Sequence, residues 1–237
     1  MHLIGNSGPR DGGAAWGLKD VAWAGLTGAV LFGAVTISAA MMARLTPDAG
    51  GAVYLRGAMV ALAELVFLLP VWLFALRKPG VGWRELGLRP FRPLPGCAAA
   101  LVLLYLTFSV NLAWGLALRW LDWPGQPDVR ALFGRGPLSL AVALVGTAAV
   151  APLAEEVFFR GFVFPPLRRR LGLVAGIAVD AALFALLHFT PTVFPPIFAL
   201  GVFFCLLYEF TGSLWPGMML HATVNTLAVL AVYLLPR

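Results

Sequence analysis

Apolar residues dominate the chain in seven long runs, each interrupted by arginines, prolines or short polar loops. A helix that crosses a bilayer needs about 20 consecutive apolar residues, and each run comes close to that length or exceeds it. The pattern therefore predicts seven transmembrane helices, at roughly 21–43, 53–76, 94–118, 138–158, 171–188, 194–210 and 214–235.

Composition supports a membrane protein. Hydrophobic residues make up 60% of the 237 residues, charged residues 12%, and the mean hydropathy is +0.87. Soluble domains are about half apolar and a quarter charged, so this chain has too few charges to cover a water-facing surface. The predicted fold class is all-α: a polytopic membrane helical bundle of about seven transmembrane helices, with the lipid bilayer as its surroundings.

The formal net charge of +6 does not indicate nucleic-acid binding, because the arginines stand at the ends of apolar runs, where they set topology. Placing the N-terminus in the cytoplasm puts ten Lys and Arg residues inside and six outside. We therefore expect a multi-pass integral membrane protein, in the inner membrane if the cell is bacterial, with a cytoplasmic N-terminus.

Three parts are predicted: a tail at 1–20, N-terminal transmembrane helices over 21–120, and a C-terminal catalytic core over 138–235 within one membrane domain. Cys97 and Cys205 both lie in apolar stretches, so buried free thiols are expected rather than a disulfide.

Ionisable residues inside membrane spans cost several kcal/mol and indicate function by default. The candidates, with two polar amides, are Glu64, Glu155, Glu156, Asp180, His188, His221, Asn111 and Asn225. Taken alone, a histidine in a membrane helix or the i, i+4 pair Glu156–Arg160 commonly has only a structural role. Their combination is what indicates a catalytic site, while the roles of Glu64 and Asp180 stay open.

Spacing brings several candidates together. Glu155 precedes His188 by 33 residues, with three arginines about midway. A helical hairpin turning near Leu171 would descend about 22 Å and climb about 25 Å, returning both side chains to one depth. His221 and Asn225 are at i and i+4 and share a helix face. Three helices thus bring a carboxylate, two imidazoles and an amide to one place.

These residues stand in motifs. EEVFFRG at 155–161 resembles the EExxxR motif of the CPBP family, the type II CAAX prenyl protease and Abi group. FALLH at 184–188 resembles its FxxxH motif, and HATVN at 221–225, preceded by TGSLWP at 211–216, its HxxxN motif. The loop sequence WRELGL at 83–88 is also common in this group. The resemblance implies an intramembrane peptidase with a CAAX protease/Abi-like core.

Physical roles can be assigned beside that resemblance. Glu155, partly desolvated, suits proton transfer to and from water, and His188 would hold or polarise the water. His221 and Asn225 supply two donors for a developing oxyanion, an effect worth about 3–4 kcal/mol. Glu156 and Arg160 have the favourable i, i+4 order and are expected to neutralise each other in a supporting role.

A metal is the main mechanistic alternative. Glu155, His188 and His221 would make a His₂Glu set, which suits catalytic zinc with an open water position. Against this, the sequence has no HExxH, and Asn225 suits an oxyanion site better than a ligand shell. We expect a glutamate-type protease that requires no cofactor, with a zinc-dependent enzyme as the alternative.

The sequence thus predicts an endopeptidase that cuts near the C-terminus or leader of a peptide or a membrane-anchored protein, prenylated or not. One rival is a proton-coupled transporter or channel, disfavoured because no inverted repeat is visible. Another is a non-catalytic membrane scaffold of the same fold. The sequence does not specify the oligomeric state.

Overall fold

The computed structural model describes residues 15–45, 52–125 and 130–234. Residues 1–14 of the predicted tail, which include His2, lie outside the described residues. Throughout the described ranges the chain forms helices and turns without a strand, so the predicted all-α class is confirmed.

Eight helices of the described ranges build and support the site. They are α1 (Leu18–Leu45), α2 (52–76), α3 (Pro93–Trp120), the short α4 (Arg130–Phe133), α5 (Pro137–Leu171), α6 (Leu173–Leu186), α7 (Phe194–Thr211) and α8 (Trp215–Leu234). Within α2, the α-helical Ala52–Leu65 and Leu68–Val71 are separated by a turn at 66–67, and Trp72–Leu76 is π-helical.

Each of the seven predicted apolar runs is a helix, but two boundaries differ from the prediction. Among the described residues, six helices are long and apolar enough to cross a membrane, whereas α6 has only 14 residues. The fourth predicted span ended at 158, but α5 continues to Leu171 and has 35 residues, about 50 Å of helix. The arginines at its end stay helical because they lie beyond the apolar part, where polar partners are available.

Two π-helical turns interrupt α5, at Leu144–Val150 and Val157–Val163. Each is followed within two residues by proline, first Pro152 and then Pro165. Proline lacks an N–H and its ring clashes with the carbonyl four residues earlier, and a wider preceding turn relieves both problems. The six-residue α-helical segment Ala151–Glu156 therefore lies between two wide turns.

Helix α5 is the centre of the bundle, because it contacts α2 on one side and α8 on the other. A Cβ at Gly161 would lie 3.3 Å from Leu214 Cδ1, so the start of α8 lies level with Gly161. Counting back to Glu155 along α5 covers about 9 Å, and counting on to His221 from Leu214 covers about 10 Å. The two side chains consequently reach the same depth.

The predicted hairpin is confirmed. Gly172, with φ +79°, separates α5 from α6, and α6 then packs against α7. The ten residues of α5 after Gly161 extend about 15 Å past the α7–α8 turn. Arg168 Nε donates to Glu209 Oε2 at 2.8 Å, which ties the hairpin to α7.

The loop between α2 and α3 is fixed to the α7–α8 turn. Leu214 N donates to Gly87 O at 2.9 Å, and Ser213 Oγ donates to Arg89 O at 2.6 Å. Leu86 is fully buried. The loop motif WRELGL therefore supports the end of the bundle from which α8 and its histidine start.

Gly87→Ala is expected to destabilise the protein by about 1–3 kcal/mol, because Gly87 has φ +104° and a Cβ there would lie 2.6 Å from the Tyr208 ring. Thermal unfolding in detergent measures the loss. Gly80→Ala is the matched control, since Gly80 also has positive φ (+76°) but open space around it. Equal losses in both variants would show that the Tyr208 contact contributes nothing.

Candidate active site

The two adjacent glutamates of α5 have different surroundings. The Glu155 side chain retains 13% of its exposure, and its Oε2 is buried without a hydrogen-bond partner among the described residues. The Glu156 side chain is only 1% exposed and is paired with Arg160. Consecutive positions on a helix point in different directions, so the pair is divided between two environments.

His221 of α8 lies between the two carboxyl groups. Its Nε2 is 3.8 Å from Glu155 Oε2, and its Nδ1 is 3.5 Å from Glu156 Oε1. Neither distance is that of a direct hydrogen bond, but a water molecule can bond both members of a pair separated by 3.8 Å. Glycine at 217 permits the close approach of α8, since a Cβ there would lie 3.0 Å from Glu156 Oε2.

Arg160 is a fully buried cation with two carboxylate neighbours. Its Nη1 donates to Glu156 Oε1 at 3.1 Å, and its Nε lies 3.5 Å from Asp180 Oδ2 of α6. Nη2 donates to Gly201 O at 3.1 Å, on α7. The expected Glu156–Arg160 ion pair is present. Asp180, whose role was open, joins it to form a cluster of three charged residues.

Aromatic rings enclose this ion cluster. The Arg160 guanidinium carbon lies 4.4 Å from the Phe184 ring centroid and 4.9 Å from that of Phe204. Phe204 also stacks on the imidazole of His221, with centroids 4.8 Å apart. The same two rings therefore exclude water from the arginine and fix the orientation of the histidine.

His188 follows the end of α6 and is more exposed than His221. Its Nδ1 lies 3.0 Å from Phe184 O, and because a carbonyl only accepts, Nδ1 carries the proton and Nε2 is an acceptor. The Phe184 ring contacts both imidazoles, with centroids 5.2 Å from His188 and 6.0 Å from His221. The two predicted histidines are thus brought to one aromatic side chain.

Asn225 also faces α5, one turn beyond His221. Its Nδ2 donates to Thr147 O at 2.6 Å, within the first π-helical turn. One of the two amide hydrogens is committed to this bond, and an asparagine has a second to offer. Neither the π-helical turn nor this contact was predicted, although Pro152 five residues later was the sequence signal for it.

A catalytic zinc centre would need three protein ligands around one point. Across the described ranges, no three His, Cys, Asp or Glu side chains converge to hold a metal ion. Of the three residues considered as zinc ligands, His221 and Glu155 are neighbours, with Nε2 and Oε2 3.8 Å apart.

An apolar cleft of about 580 Å³ opens beside His188. Residues on either side of this histidine line it, together with two tryptophans and the start of α7: Trp114, Trp123, Ala185, Leu186, Phe189 and Phe194. Trp114 Nε1 donates to Thr192 O at 2.6 Å, which fixes one wall. No sequence pattern predicted this cleft, because its walls come from α3, α6, α7 and the segments that follow α3 and α6.

Comparison with known proteins gives one family. Residues 137–227, less than half of the chain, match the model of the Rce1-like family, described as type II CAAX prenyl endopeptidase Rce1-like. The match covers α5, α6 and α7 and most of α8, and so includes Glu155, His188, His221 and Asn225. No curated protein and no solved structure matches the chain.

Proposed function

We infer that the chain is a member of the Rce1-like family of type II CAAX prenyl endopeptidases, because residues 137–227 match the model of that family. On that premise we propose that it hydrolyses a peptide bond near the C-terminus or leader of a peptide or membrane-anchored protein. Glu155 acts as the base, His188 assists in holding the water, and His221 with Asn225 forms the oxyanion site.

One observation carries the proposal: Glu155 Oε2 is buried, lacks a hydrogen-bond partner among the described residues, and lies 3.8 Å from His221 Nε2. Buried carboxylate oxygens are normally hydrogen-bonded, because leaving one unsatisfied costs about 1–3 kcal/mol or more. An enzyme tolerates that cost where the oxygen has to bind a water or a substrate.

The reaction balances without a covalent intermediate. Glu155 takes a proton from a water whose oxygen attacks the scissile carbonyl carbon, and the carbonyl oxygen becomes an oxyanion. His221 and the second amide hydrogen of Asn225 stabilise that charge. Glu155 then gives the proton to the leaving nitrogen as the C–N bond breaks, which yields a carboxylic acid and an amine.

We place the apolar part of the substrate in the cleft beside His188. An isoprenoid or a run of apolar side chains next to the scissile bond suits its aromatic walls. We propose that such a chain enters laterally from the lipid, because the cleft residues Leu186 and Phe189 are exposed on the surface of the bundle.

The proposal is tested with purified protein and a fluorogenic peptide pool, supplied with and without a prenyl group. Wild type is expected to cleave at least one pool, and Glu155→Ala and His188→Ala are expected to lose that turnover. Equal turnover in all three proteins would refute the protease function. Faster cleavage of the prenylated pool would support the proposal that the prenyl group binds in the cleft.

Thorough chelation is expected to leave the turnover unchanged, because the proposed steps use only side chains of this chain. The measurement compares wild-type rates before and after dialysis against a zinc chelator. Activity that disappears on chelation and returns with added zinc would contradict the metal-independent mechanism.

We also propose that the N-terminus and the α5–α6 hairpin are cytoplasmic. In a Cys97→Ser background, an impermeant thiol reagent is expected to label Arg135→Cys from the outside of intact cells but Arg170→Cys only after permeabilisation. Both positions are exposed. The reverse labelling pattern would invert the topology.

A further inference from the structure

Glu64 is a carboxyl group within the second candidate membrane span, Gly57–Leu76, and no step described so far uses it. An ionisable side chain at such a position is costly and usually has a named partner. Glu64 also lies outside residues 137–227, so the family match says nothing of it.

The packing of α2 on α5 determines where Glu64 points. A Cβ on Gly146 would lie 3.0 Å from Ala61 Cβ, and the Phe67 and Phe158 rings have centroids 5.2 Å apart. Ala61 and Phe67 thus contact α5 on either side of Glu64, which lies three residues beyond Ala61. Positions three apart share a helix face, so Glu64 faces α5 between these two contacts.

Between Gly146 and Phe158 on α5 lies the acidic pair. The carboxyl groups of Glu64 and Glu155 are within hydrogen-bonding reach of each other. Two carboxylates repel, whereas a carboxyl and a carboxylate that share one proton form a strong, short-range bond. Glu64 is therefore a hydrogen-bond partner of Glu155, and it comes from α2, a helix that carries none of the three motifs.

We propose that Glu64 is a positioning residue for the reaction, whose hydrogen bond holds the Glu155 carboxyl group in the orientation that faces His221. The inference rests on the proposed function, since it assigns Glu155 the role of base. With α2 supplying this contact, the N-terminal half of the chain completes a site whose other residues all come from α5, α6 and α8.

The contact matters because a glutamate side chain has several rotatable bonds. Without Glu64, the Glu155 carboxyl group is free to rotate away from the attacking water and from His221. A displacement of about 1 Å of a catalytic group can reduce the rate about 100-fold. Substrate binding in the cleft by His188 does not depend on this orientation, so KM is expected to change little.

Two variants at position 64 separate a hydrogen bond from simple packing. Glu64→Gln keeps a donor of the same shape, and we expect it to retain kcat within about 3-fold, whereas Glu64→Leu loses about 10- to 100-fold in kcat with KM within about 3-fold. Glu85→Leu, at an exposed position of the α2–α3 loop, is the control for loss of a glutamate and should match wild type. Wild-type kcat in Glu64→Leu, or an equal loss in Glu64→Gln, would overturn the proposal.

A second measurement does not require activity. Thermal unfolding midpoints of Glu64→Leu, Glu155→Leu and the double variant form a double-mutant cycle, and directly interacting residues give non-additive shifts. Additive shifts would show that Glu64 and Glu155 do not interact, and would overturn the inference. If the wild-type protein cleaved no peptide, the proposed function would be refuted instead. The double-mutant cycle would still show whether the two carboxyl groups interact.

Discussion

Glu155→Gln is expected to lower kcat by about 10²- to 10⁴-fold while the protein stays folded. Glutamine has the same shape but cannot accept the proton of the attacking water. The fold should tolerate the change, because the glutamine amide oxygen can still accept from the Glu64 carboxyl group and Oε2 of Glu155 makes no hydrogen bond to another described residue. Steady-state kinetics on a cleaved peptide measures the loss of kcat, and thermal unfolding measured in parallel checks that the variant is folded.

Glu156→Gln is the matched control at the neighbouring position. Glu156 neutralises Arg160, so its loss should lower the unfolding midpoint more than the loss of Glu155. If Glu155→Gln keeps its turnover and Glu156→Gln abolishes turnover in a folded protein, the division of labour between the two glutamates is the reverse of that proposed here.

Arg160→Met is expected to give the largest loss of stability, about 3–5 kcal/mol, because it leaves two buried carboxylates without their cation. Glu156 and Asp180 are each no more than 1% exposed, so water cannot take the place of the guanidinium. Unfolding in detergent, or yield of folded protein where the loss is complete, measures the effect. Arg168→Met is the control, since the Arg168–Glu209 pair is partly exposed and should contribute about 1 kcal/mol or less.

A neutralised triple variant distinguishes charge from shape in the same cluster. Arg160→Met combined with Glu156→Gln and Asp180→Asn removes the cation and both anions together. Replacing a whole buried ion cluster is often tolerated, so stability should recover substantially relative to Arg160→Met. No recovery would mean that packing of the guanidinium between Phe184 and Phe204 matters more than its charge.

Much of the candidate site was predictable because its signals are local. The EEVFFRG, FALLH and HATVN motifs place acids, imidazoles and an amide at helical spacings, and counting residues along α5 and α6 brings Glu155 and His188 to a similar depth. Helical rise is nearly constant, so depth follows from sequence wherever the turn between two helices is known.

Partner choice was less predictable. The sequence paired Glu155 with His188 as the activators of water, whereas the residue beside Glu155 in the structure is His221. Asp180 and Glu64 had no assigned partners, yet the first approaches Arg160 and the second reaches Glu155. Contacts of this kind depend on the rotation and crossing of helices that are far apart in sequence.

By itself, the sequence determined that this protein is a membrane protein of the all-α class, and it grouped Glu155, His188, His221 and Asn225 into one candidate site. Hydrophobic run length and motif spacing carry that information without reference to the rest of the chain. Only the tertiary structure decided that α2 supplies Glu64 and that the loop WRELGL is fixed to the α7–α8 turn. It also showed that proline-associated π-helical turns lie on both sides of the Glu-Glu segment. Those features arise from the register between helices, which no single segment encodes.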